Sequence, residues 1–89
     1  MSIHSELQHG GGQKFGSVRV TVDVANGECK MACDAPGHRG STAHFHSTEE
    51  IEGAHGFHSM NAAKSEVSKD TAAALHFALQ QIKAQKGRR

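Results

Sequence analysis

Residues 18–34 read VRVTVDVANGECKMACD. Val18, Val20, Val22 and Val24 alternate with Arg19, Thr21 and Asp23, and Cys29, Met31 and Cys33 alternate with Lys30, Ala32 and Asp34. Period two in β-branched residues marks a strand with one buried face. Asn26-Gly27 between the runs is the preferred pair for a two-residue type I′ turn. That turn sets Val24 opposite Cys29, Val22 opposite Met31 and Val20 opposite Cys33, all on one face. It also sets Asp23 opposite Lys30 and Arg19 opposite Asp34, two pairs of opposite charge. Turn, pattern and charge together predict a hairpin over 15–34.

The flanks are read from the hairpin. Ala35-Pro36-Gly37-His38-Arg39-Gly40 is a loop by its punctuation. Ser41 to His46 fits a third strand, with Ala43 and Phe45 inward and His44 and His46 outward. Ser47-Thr48-Glu49-Glu50 fits a capping box and predicts one helical turn through Ile51, ended by Gly53. Against that, Ala43-His44-Phe45-His46-Ser47 is echoed by Ala54-His55-Gly56-Phe57-His58-Ser59, which suits two strands joined by an acidic turn. Residues 47–59 therefore stay open between helix and strand.

Met60 to Lys86 contains no Gly or Pro. Leu75, Leu79 and Ile82 follow helical spacing, and Val67, Thr71, Ala74 and Ala78 extend the stripe backwards. Ser59, Ser65 and Ser68 are all suitable N-caps, and Gly87 is a natural stop. Hairpin and helix each have one apolar face to cover. The expected fold is a two-layer α+β domain: an antiparallel sheet of three or four strands packed by a C-terminal amphipathic helix. Its expected core is Val18, Val20, Val22, Val24, Met31, Phe45, Val67, Leu75, Leu79 and Ile82. Residues 1–13, with Gly10-Gly11-Gly12, read as a flexible arm, 14–86 as the domain and 87–89 as a flexible basic tail.

Composition excludes several functions. The 89 residues carry ten Lys plus Arg against nine Asp plus Glu, and Leu, Ile, Val and Phe together make only fifteen. A core that small invites self-association. Trp and Tyr are absent, which argues against a base-stacking platform and an aromatic-anchored interface. No apolar run approaches the roughly 18 residues of a membrane span, and residues 1–13 lack the apolar segment of a secretory leader. Cys29 and Cys33, on one strand, lie about 13 Å apart by strand rise, too far to bond, so a reduced, cytoplasmic protein is expected. No phosphate-loop, dinucleotide or nucleophile-elbow motif occurs. The expectation is a non-enzymatic accessory protein without a cofactor, its partner a protein.

Histidine is the anomaly: eight in all, five of them between His38 and His58. His44, His46, His55 and His58 are the candidate metal ligands, because i and i+2 share a strand face and imidazole suits zinc, nickel or copper. Surface histidines that hold no metal are the plainer reading. Titration of all eight would carry the charge from +1 toward +9 in mild acid. A weak nucleic-acid contact through Lys83, Lys86, Arg88 and Arg89 is the other alternative. These put +4 on residues 83–89 and leave −3 on the rest.

Overall fold

The computed structural model describes residues 12–37 and 39–87. Four strands, β1 (Gln13–Phe15), β2 (Val18–Asp23), β3 (Glu28–Cys33) and β4 (Ser41–Phe45), are followed by α1 (Thr48–Asn61) and α2 (Glu66–Gly87). The strands form one antiparallel sheet in chain order, β1-β2-β3-β4. Both helices pack on the same side of it, so the fold is the two-layer α+β arrangement that the pattern predicts.

The hairpin has the expected faces but a different register. Val18 pairs with Cys33, Val20 with Met31, Val22 with Cys29 and Asp23 with Glu28. Each pairing is displaced by two residues from the expected one. A two-residue displacement keeps every side chain on its own face. The turn has four residues, 24–27, instead of two. The Asp23 carboxylate accepts from the Asn26 N–H at 3.3 Å and from Asn26 Nδ2 at 2.8 Å, and Gly27 takes φ +69°. This local capping wins over the expected charge pairs, which do not form: Lys30 faces Thr21 and Arg19 faces Ala32. The tight two-residue turn lies one hairpin earlier. Phe15 pairs with Val18 around Gly16-Ser17, with Gly16 at φ +61°. Glycine at the first turn position suits type II′. Gln13 is therefore in the sheet, and residues 1–11 of the expected arm lie outside the described residues.

Of residues 47–59, all but the extended Ser47 are helical. Ser47 caps α1 by accepting from the Glu50 N–H at 3.2 Å. The helix runs past Gly53 and Gly56, and the second half of the apparent repeat is not a strand. Ser65 caps α2, accepting from the Ser68 N–H at 3.2 Å. α2 includes Gly87, one residue beyond the expected stop, within the usual ambiguity of helix ends.

Val18, Val20, Val22, Met31, Leu75, Leu79 and Ile82 are buried, as expected, while Val24, Phe45 and Val67 are half-buried. Cys29, Ile51, Ala74 and Ala78 complete the core. The alanines let α2 lie close to β2. Phe15 and Phe77 stack at 5.5 Å between ring centres and fasten β1 to α2. α2 covers β1 and β2, whereas α1 leans on α2 and barely touches β4. The inner face of β3 and β4 is left partly open.

Candidate functional site

Three regions carry the candidate chemistry. The first is the open inner face. A trough of about 180 Å³ runs between Met31, Cys33, Ala43 and Phe45 of the sheet and His58, Val67 and Thr71 of the helices. Its walls are mainly apolar. Two polar groups on its helix side are engaged: the Thr71 hydroxyl donates to the Val67 carbonyl at 2.7 Å, and His58 Nδ1 shares a 3.3 Å hydrogen bond with the Ser68 hydroxyl. Burial shifts His58 below the ordinary histidine range, because the imidazolium loses hydration there. The expected titration of all eight histidines together in mild acid therefore does not hold for His58, which takes up its proton at lower pH.

β4 borders the trough and is an edge of the sheet. Ser41, Thr42, Ala43 and His44 are exposed and Phe45 is half-buried. The strand contains no Lys and no Pro, and its pairing with β3 is unbroken by a bulge. These are the usual guards against further strand pairing.

The cysteines are both free. Cys29 is fully buried, and desolvation pushes its thiol up to about 12. Cys33, which the expected register buries, is half-buried at the trough because its partner is Val18 near the end of the hairpin. His58 lines the same trough, but its hydrogen bond goes to Ser68 and not to Cys33. A thiolate–imidazole nucleophile pair has no geometric support.

The second region is the opposite face of the sheet. The four candidate metal histidines do not gather as one set. His55 and His58 lie on α1, where His55 sits 5.9 Å from the His76 ring and near the Ser59 hydroxyl at 3.4 Å. His44 and His46 stay together, with ring centres 3.9 Å apart. They are joined by Glu28, which composition and spacing did not single out: His44 Nε2 is 3.0 Å from Glu28 Oε1. The ligating atoms of Glu28, His44 and His46 lie within 4.8 Å of one another. His38 lies outside the described residues.

The third region is the basic end. Lys83 approaches Glu52 at 3.7 Å, with both groups well exposed. That pairing spends part of the expected phosphate-facing charge within the molecule. The Lys86 side chain, Arg88 and Arg89 lie outside the described residues.

Comparison with protein-family models finds no match, and comparisons with curated proteins and with solved structures find none either.

Proposed function

We propose that this chain is a small non-enzymatic binding domain that takes an extended segment of a partner protein along β4, as a fifth strand. The observation that carries this is the unguarded β4 edge beside an apolar trough. An added strand satisfies the edge through main-chain hydrogen bonds, while alternate side chains enter pockets that set specificity. The trough asks for an apolar residue at every second position of the incoming segment. A second copy of this chain is the poorer occupant. In a β4–β4 pairing about Ala43 the inward side chains are Ser41, Ala43 and Phe45, two of them too small to fill the space. The two free thiols favour a reducing compartment, the cytoplasm. No helix among the described residues is long and apolar enough to cross a membrane.

The test is an amide NMR titration with a panel of eight-residue peptides that alternate Val or Leu with Thr. The expected shifts cluster at residues 31–33 and 41–45 and vanish in Ala43→Lys, which points a charge into the trough. Shifts confined to α2 near Lys83 with an RNA duplex, and none with peptides, would instead make the basic end the functional surface. Concentration-dependent dimerisation abolished by Ala43→Lys would replace the partner strand with a second copy.

A further inference from the structure

We propose that Glu28, His44 and His46 form a three-ligand site for a zinc-class divalent ion. The register builds it. Lys30 pairs with His44, and Cys29 with Phe45 in the last pair of the ladder, so Glu28 and His46 flank that pair. His44 in β4 and His46 one residue past its end stand two apart, and their rings lie on the same side, 3.9 Å between centres. The donors converge from two strands to within 4.8 Å. Tetrahedral bonds of about 2.1 Å place donors roughly 3.4 Å apart, so modest side-chain rotation closes the set.

The surroundings favour a cation held in place and still open to solvent. The Glu50 carboxylate accepts from the His46 N–H at 2.9 Å, which fixes the backbone of one ligand to the start of α1. Asp23 stands opposite Glu28 and adds a second carboxylate, against the single ammonium of Lys30 opposite His44. The His44 and Glu28 side chains keep 37% and 32% of their surface exposed, which leaves a fourth position for water or an outside ligand. Two neutral imidazoles and one carboxylate suit zinc, with copper and nickel as chemical competitors. When the ion takes Nε2 of His44, the ring proton moves to Nδ1 and the His44–Glu28 hydrogen bond is replaced by two bonds to the metal. The site lies across the sheet from the trough, so the two proposals stand or fall separately.

The experiment is calorimetric titration of the full chain with zinc chloride, read in parallel by imidazole nitrogen shifts. One ion should bind per chain, with shifts at His44 and His46. His44→Ala, His46→Ala and the isosteric Glu28→Gln should each weaken binding at least ten-fold, with unchanged thermal melts. His55→Ala and His58→Ala should leave it unaltered. Affinity unchanged from the parent chain in Glu28→Gln and His44→Ala, or loss of binding only when His4 and His9 are both replaced, would overturn the site.

Discussion

The Ser17 N–H donates to the Asp70 carboxylate at 3.2 Å, joining residues 53 apart in sequence. The Ser17 hydroxyl reaches the same oxygen at 3.5 Å. One carboxylate near the start of α2 thus fastens the β1–β2 turn to the helix layer. Replacing Asp70 by Ala should cost about 1–2 kcal/mol in urea unfolding, as expected for a part-buried, charge-assisted hydrogen bond.

Two glycines with similar backbones should respond differently. Gly16 and Gly27 sit at φ +61° and +69°. A Cβ on Gly27 meets nothing closer than Thr48 Cγ2 at 3.9 Å, whereas one on Gly16 runs into the Asp70 carboxylate. Gly27→Ala should cost about 1 kcal/mol from backbone strain alone. Gly16→Ala should cost about 2 kcal/mol or more, because it also disturbs the Ser17–Asp70 contact. Chemical denaturation of both variants checks the order, and equal costs would refute the contact.

Stability should fall in alkali through Cys29. Its thiol rises from 9.0 to about 12 on folding. Between these values the unfolded chain has lost a proton that the folded chain keeps, so raising the pH favours unfolding. The contribution is intact below 9 and declines by about 1.4 kcal/mol per pH unit above it. Cys29→Ala should flatten this part of the pH–stability curve. In the native state, thiol reagents should label half-buried Cys33 before Cys29.

His58 acts at the acid end. Its folded pKa is below the ordinary 6.5 because of desolvation. The unfolded chain therefore takes up a proton first as the pH drops. Stability from this group is complete above 6.5 and is lost as the pH falls below it. Thermal melts of His58→Phe against the parent should show a shallower loss in that range.

Core and surface should separate sharply under truncation. Leu75 is fully buried and Met60 is 82% exposed. Leu75→Ala should cost about 2–5 kcal/mol, a large share of what a domain this small possesses. Met60→Ala should stay within about 0.5 kcal/mol.

Faces were legible in the sequence where register was not. Alternation of Val18, Val20 and Val22 reports parity alone, and the two competing registers share it. Choosing between them required knowing that Asp23 would cap Asn26. The Gly16-Ser17 pair is itself a two-residue turn signal. It stays hidden because β1 has only three residues and one of them, Phe15, is apolar. α1 reads short because Gly53 and Gly56 each cost about 1 kcal/mol in a helix relative to Ala. Both face open space, and the buried Ile51 with the Ser47 cap outweighs them. Glu28 is invisible as a ligand for a simpler reason. It lies 16 residues from His44, and only the pairing of β3 with β4 brings them together.

Strand order that follows chain order has a consequence for synthesis. The whole sheet is translated before the helix that covers it. Val18, Val20, Val22 and Met31 then lack their covering residues until Leu75, Leu79 and Ile82 have been translated. With elongation at about 5–20 residues per second, that interval lasts seconds, long compared with collapse and hairpin formation. The nascent chain passes through a stage in which its sheet is sticky and its lid is not yet made.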